Sequence, residues 1–535
     1  MVQLGTVPVL EREDGRAQSC PMSVRRALLS TYDKTGLAAF AEGLQRLGVA
    51  LIASGGTARF LVEAGVEVTA LEELTGFGEM LGHRVVTLHP AVHGGILARR
   101  DLPEDLADLE RHGLEPIDLV CVNLYPFEQT VGALDVTWEE AIEKIDIGGP
   151  AMLRAAAKNH AHVVPLCRPA DYDPVLAELR SSGDISETTR RALAAHAFAT
   201  TAAYDGAITA WLARAERFPV VFTPVFDHDR NLAYGENPHQ QAAYYCERGA
   251  RTHLLARVEQ LHGKELSYNN LNDLSAARLL ARELADQPAC VIVKHANPCG
   301  VAVADTIEEA HAKALAGDPV SAYGGVVVLT RAVSAALGEA LAGQFVEVLF
   351  APGYDEVAME SLVHKPGTRI LNDLERREFV PDERDYTRVL GGLLVQDRDG
   401  ETDAREAMTV VCGSVDDAVW ADLLFAWAVV KHVTSNAIVI ARGGQTLGIG
   451  AGQMSRVDAV RIAVDKAREH GHDLAGAVLA SDAFFPFADG PELALEAGIA
   501  AVIQPGGSKR DDEVVAAVRE SGAAMVFTGR RHFRH

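Results

Sequence analysis

From about residue 24 to residue 170 the chain alternates short apolar runs with amphipathic stretches, and no other feature restricts its fold as tightly. Ala27-Leu28-Leu29, Val49–Ala53, Ile117–Asn123 and His162–Leu166 read as buried strands. Helical spacing follows the first through Leu37, Phe40, Ala41 and Leu44, and follows the second from Ala58 to Ala64. Strands and helices in alternation imply a parallel sheet with helices on both faces. Residues 171–224 read as a mostly helical connector, and Phe218-Pro219 to Pro224 marks a boundary. The rest of the chain mixes strands and helices again. A chain of 535 residues exceeds one ordinary core, so two or more domains are expected. The division read from the pattern is an extension over 1–23, a domain over 24–170, the connector, and a second part over 225–535.

Charge and cysteine usage remove several functional classes. The net charge of −24 argues against a nucleic-acid surface, whose footprint is basic, yet leaves room for small anions held by local Lys, Arg and backbone N–H groups. No apolar run approaches the roughly 18 residues of a membrane span, so no membrane partner is expected. Met1 to Met22 lacks the apolar core of a secretory signal and reads as a flexible extension. The seven cysteines are scattered, odd in number and form no Cys-x-x-Cys, which fits a reducing cytoplasm. Cys299 follows a proline, as in zinc deaminases, but has no second Cys beside it, and the histidines of the 82–95 stretch are not read as ligands. No metal is expected.

Three N-terminal elements have the composition of an anion site. Ser30-Thr-Tyr-Asp-Lys-Thr-Gly36 ends the first strand, and Ala53-Ser-Gly-Gly-Thr57 ends the second. Glycines before a helix start let backbone N–H groups converge, so Lys34, Ser54, Gly56 and Thr57 suit a phosphate; ordinary Ser/Thr capping accounts equally for either loop alone. The third element, Gly82 to Gly95, adds Arg84, Thr87 and His89. In the second half, Val291-Ile-Val-Lys-His-Ala-Asn-Pro-Cys-Gly300 reads as a buried strand delivering Lys294 and His295 side by side before Asn297-Pro298 breaks it. A histidine there can move a proton and a lysine can fix a negative charge; a wet strand end is the bland account. Gly448-Ile-Gly-Ala-Gly452 looks like a dinucleotide fingerprint, but its glycines are spaced wrongly for one. Phe484, Phe485, Pro486 and Phe487 offer either aromatic contacts for a ring or core packing. Val293-Lys-His295 recurs as Val430-Lys-His432, and Ser321-Ala-Tyr-Gly loosely as Ser481-Asp-Ala-Phe-Phe. Chance or two related subdomains would account for these echoes.

The heptad Lys294 to Gly300 resembles the signature of the bifunctional family that joins AICAR transformylase to IMP cyclohydrolase. So do Arg84 to Pro90, Asn123 to Phe127, Ile145 to Gly149, Arg154 to His160, Tyr234 to Gln241, Asp318 to Gly325, Gly448 to Arg456 and Thr528 to His535. The resemblance implies a methylglyoxal-synthase-like parallel-sheet domain followed by two cytidine-deaminase-like subdomains. It implies formyl transfer from 10-formyltetrahydrofolate to AICAR, ring closure of FAICAR to IMP, and a homodimer with transformylase sites between subunits. By it, Ser30, Lys34, Ser54, Gly56, Thr57, Arg84, Thr87 and Asn123 bind the cyclohydrolase substrate, and Tyr125, Asp146 and Lys158 act on it. Lys294, His295 and Asn436 are the transformylase catalytic set. Tyr234, Ser455, Arg456, Phe484, Pro486, Arg531, Phe533 and His535 bind its substrates. Two positions depart from the family pattern, Val86 for a lysine and Ala233 for an arginine. The rival readings are a transformylase whose cyclohydrolase site has decayed at Val86 and a non-catalytic nucleotide-binding regulator; intact Lys294, His295, Lys158 and Asp146 argue against both.

Overall fold

The computed structural model describes residues 24–535 except 83, 133–135, 251–254, 376, 378–382 and 402. The extension expected over 1–23 lies outside the described residues. The chain forms two compact units, Met1–Val225 and Phe226–His535. Among the described residues no helix is long and apolar enough to cross a membrane.

In the first unit five parallel strands, β1 (Arg26–Ser30), β2 (Ala50–Ala53), β3 (Thr69–Ala70), β4 (Leu119–Val122) and β5 (Val164–Leu166), lie in the order β3-β2-β1-β4-β5. Leu28 and Leu29 show why both faces are covered. Neighbours on a strand point to opposite sides. Leu29 packs with Phe40, Leu44, Leu61 and Leu176, while Leu28 packs with Val92, Ile96, Val120 and Met152. The helix Tyr172–Ser182, in the stretch read as a connector, supplies Tyr172, Val175 and Leu176 to the first of these cores. The strand order reverses between β1 and β4, and the crevice beyond the carboxyl ends of strands at such a switch is where open parallel sheets take ligands. Ser30, Ser54 and Asn123 sit at those ends.

The second unit begins with a hairpin, β6 (Phe226–Leu232) and β7 (Ala242–Glu247). A first repeat follows: β8 (Val258–His262), β9 (Ala289–Lys294), β10 (Asn297–Val303), β11 (Val326–Leu329), β12 (Val348–Ala351) and β13 (Arg369–Asp373). After the hairpin of β14 (Arg384–Val389) and β15 (Gly392–Asp397) comes a second: β16 (Thr409–Cys412), β17 (Ile438–Arg442), β18 (Gln445–Gly450), β19 (Val478–Ser481), β20 (Ala501–Gln504) and β21 (Ala524–Phe527). One sheet takes both, in the order β16-β21-β20-β19-β17-β18-β10-β9-β11-β12-β13-β8. Read inward from either edge, the order and the pattern of parallel and antiparallel pairs are the same, and β10 meets β18 antiparallel at the centre.

The duplication is real, but the sequence echoes do not report it. Lys294 ends the strand β9, whereas Lys431 and His432 follow the helix Asp417–Val430. Ser321 precedes β11, whereas Ser481 ends β19. The echoes therefore fall at unequal places in the two repeats. A second expectation also changes. Asn297-Pro298 does not break the chain away from the sheet; it starts β10, pairing with Lys294 and Val293, and the register shifts between Pro298 and Gly300. An irregularity of that kind is where a strand tolerates a proline, which has no N–H to give the ladder.

Candidate functional sites

In the first unit the strand-end loops are tied together by their own polar groups. Ser30 Oγ and Ser54 Oγ are 2.7 Å apart. Thr57 Oγ1 accepts the Thr31 N–H at 3.0 Å and donates to its carbonyl at 3.1 Å. Asn123 Oδ1 accepts the N–H groups of Tyr32 (2.6 Å) and Asp33 (3.0 Å). Ser54 stands at the N-cap of the helix Gly55–Glu63 but makes no side-chain cap bond. Its hydroxyl is turned to Ser30, so the capping account fails for this loop and the helix N-terminus, with Gly56, keeps its positive end open. Lys34 Nζ donates to the Thr31 carbonyl at 2.8 Å; burial lowers its pKa, against the opposing charge of Asp33.

A second cluster adjoins the helix Gly148–Lys158. Gly148 lets Thr87 approach, since a Cβ there would lie 2.4 Å from Thr87 Oγ1. Asp146 Oδ1 accepts the Gly149 N–H at 2.8 Å, and its carboxylate also takes the Tyr125 N–H. Burial raises the Asp146 pKa more than those two amides lower it. Tyr125 is raised by burial and by the charge of Asp146. Arg84 is exposed and held by Glu143 through two nitrogens, with Nε at 3.2 Å from Oε1. Val86, where the family pattern has a lysine, packs against the apolar core instead.

Lys158 is not brought to this cluster. It ends the helix that Gly148 begins, which at the usual rise puts it about 15 Å away. It opens instead on a cavity of about 670 Å³ lined also by His93, Arg154, His160 and Phe198. His89 and His93 are four residues apart, but His89 Nδ1 is committed to the Ala91 N–H at 3.1 Å as a helix cap.

In the second unit one cavity of about 460 Å³ gathers seven of the expected residues: Asn436, Ser455, Arg456, Phe484, Pro486, Arg531 and Phe533. Asn436 donates to the carbonyls of Gln453 (2.8 Å) and Met454 (3.3 Å) and accepts from Arg456 Nη2 at 2.6 Å. Arg456 is buried and also pairs with Asp482, which has no exposed surface. Sequence reasoning passed over Asp482, because a lone Asp in a strand–loop junction has no local signature. Of the three phenylalanines, Phe485 is core, while Phe484 and Phe487 are open. The glycines resembling a fingerprint serve packing: a Cβ on Gly448 or Gly450 would stand 2.0 Å from a carbonyl oxygen of the helix Arg456–Glu469. Arg531 stacks over Phe533 at 4.6 Å, and the Phe533 and His535 rings meet edge to face. The tail is fixed by neighbours the sequence did not single out. His532 is buried between Asp399 (2.6 Å) and Asp403 (2.9 Å), and the Arg534 carbonyl takes the Ser435 N–H at 2.8 Å.

Lys294 and His295 do not line that cavity. Lys294 Nζ donates to the Tyr323 carbonyl at 2.6 Å, and His295 is exposed in the β9–β10 turn. The turn is nevertheless joined to the Asn436 segment, because Asn297 Oδ1 accepts the Thr434 N–H at 2.8 Å. Tyr234 lies half-buried, its carbonyl accepting the Tyr268 N–H at 3.1 Å. Ala233 has no charged side chain to offer, and Arg230 upstream is paired with Asp229 at 2.5 Å.

The sequence model described as the AICARFT/IMPCHase bienzyme matches residues 156–466, and that described as the MGS-like domain matches residues 36–151. Among solved structures, one titled the crystal structure of ForH is 40% identical in sequence, over 36% of this chain and 98% of its own, with a TM-score of 0.32. The bienzyme match spans more than half of the chain, and the protein belongs to that family: it is the bifunctional enzyme of the last two steps of purine synthesis, a formyltransferase acting on AICAR and the cyclohydrolase that closes FAICAR to IMP.

Proposed function

We propose that ring closure occurs at the strand ends of the first unit and formyl transfer in the second. For the second, the observation that carries the reading is the convergence of Asn436, Arg456, Phe484, Arg531 and Phe533 on one cavity. The co-substrate is 10-formyltetrahydrofolate. The AICAR amine attacks the formyl carbon, the oxygen takes negative charge, and folate N10 leaves with a proton. His295 removes the proton from the attacking amine, Lys294 steadies the oxyanion, and Asn436, held rigid by Arg456 and two carbonyls, orients the formyl group. Phe484 flanks the pterin, and Ser455, Pro486 and Tyr234 complete the binding surface, with His535 beside Phe533.

In the first unit the carboxamide nitrogen of FAICAR attacks the formamide carbon and water is lost. Lys34, Ser54, Gly56, Thr57 and Arg84 hold the phosphate. Ser30, Thr87 and Asn123 shape the pocket. Asp146 and Tyr125, both with raised pKa values, pass the protons. Lys158 is kept as a contributor from outside this cluster.

The cavity lacks Lys294 and His295 in its lining, which favours a homodimer that completes the transformylase site between subunits. The cytoplasm is the proposed compartment, in keeping with six unpaired cysteines among the described residues. The test is the purified protein given AICAR and 10-formyltetrahydrofolate, with FAICAR and IMP followed separately. Both should form in sequence. FAICAR that accumulates without IMP would remove the ring-closure assignment.

A further inference from the structure

We propose that Asp273 is the positioning residue for His295, holding by its carboxylate the turn that carries the imidazole. His295 (φ 54°) and Ala296 (φ 58°) are successive non-glycine residues in the left-handed region; among the described residues only Leu81 shares that property. They are the two central residues of a hairpin turn between β9 and β10, a position that favours Gly, Asn or Asp because a Cβ is strained there. Such strain persists only where the surroundings hold it. The holder is a single carboxylate. Asp273, on the helix Tyr268–Glu283, accepts the Ala296 N–H at 2.7 Å, and its carboxylate also faces the His295 N–H.

The second repeat supplies an internal comparison. There Asp422, on the equivalent helix Asp417–Val430, accepts the N–H groups of Gly443 and Gly444, both at 2.9 Å, in the equivalent turn between β17 and β18. Gly443 (φ 61°) and Gly444 (φ 68°) have the same backbone shape. Both repeats thus carry one clamp: a helix carboxylate on two turn amides. In the second it secures glycines, which adopt that shape without strain and present no side chain. In the first it secures a histidine and an alanine, which do not. The difference is the imidazole, so the first clamp has a task that the second lacks.

The inference rests on His295 as the proton acceptor, and the test separates the two. Formyl transfer and FAICAR closure are measured for H295A, D273A and D422A on the full-length protein. Asp273→Ala is expected to lower formyl-transfer kcat by about 30-fold with KM for AICAR and folate within about twofold, the pattern of a lost transition-state geometry. Asp422→Ala is expected to lower thermal stability and leave kcat within about twofold. A wild-type kcat in D273A, or equal kcat losses in D273A and D422A, overturns the proposal. H295A with full formyl transfer overturns the reading beneath it. Should D273A fail to fold, D273A/A296G is compared with A296G, since glycine relieves the strain at 296: a lower kcat in the double variant supports the proposal and an equal one overturns it.

Discussion

Gly300 and Gly448 occupy the same step of the two repeats. Each lies three residues into the second strand of its hairpin, and a Cβ on either would stand 2.0 Å from a carbonyl oxygen of the helix that follows, Ala314 in one and Ala463 in the other. Backbone cannot yield by that much without moving the helix. Gly300→Ala and Gly448→Ala should each destabilise the second unit by at least about 3 kcal/mol, the upper range for overpacking. Chemical denaturation checks this, and a loss below about 1 kcal/mol at either site would show that the helix can shift.

The two chemistries should separate by mutation. His295→Ala should stop formyl transfer and leave closure of supplied FAICAR near wild type. Asp146→Ala should do the reverse, so that FAICAR accumulates. Discontinuous assays of both products decide it, and joint loss in either variant with an intact circular dichroism spectrum would contradict the assignment. Lys158→Ala tests the geometry. Its distance from Asp146 predicts a smaller loss of ring closure than Asp146→Ala gives.

Arg84 is already occupied by a carboxylate, Glu143, on the surface of the first unit. On the proposed reading, a substrate phosphate bound at Arg84 has to displace that partner. Glu143→Ala should therefore lower KM for FAICAR by about two- to fivefold at low ionic strength, with the gain shrinking as salt rises. An unchanged KM would mean that Arg84 does not touch the phosphate.

How much of this could be read beforehand depended on the range of the interaction. The β1, β2, β4 and β5 strands were legible because each is a buried apolar run with a period of its own. The two-residue strand Thr69–Ala70 has no such run and was missed. The residues gathered around Asn436 were legible through motif resemblance. Asp273, Asp422, Asp482 and His532 were not, because each acts across long sequence separations on backbone or on another side chain. The duplication was misplaced for the same reason. The repeats share backbone topology and two glycine contacts, whereas the Val-Lys-His echo falls on a strand end in one and a helix end in the other.

The last residues of the chain would ordinarily fray, yet His532 is almost fully buried with a carboxylate on each ring nitrogen. Both nitrogens donate only in the imidazolium form. Burial pulls its pKa down, but the hydrogen bonds and charges of Asp399 and Asp403 outweigh it and the pKa is raised. A histidine raised in the folded state stabilises fully below its unfolded pKa of about 6.5 and loses that contribution as pH climbs through the folded value. The Tm difference between wild type and His532→Gln should be widest near pH 6 and shrink towards alkaline pH. The same anchor seats Arg531 and Phe533 in the cavity, so His532→Gln should cut formyl-transfer kcat/KM by about tenfold and leave ring closure unchanged. Formyl transfer at the wild-type level, with a Tm gap that does not vary with pH, would show that the other tail contacts, among them Arg530 with Asp403 and the Arg534 carbonyl with the Ser435 N–H, hold it without the imidazolium.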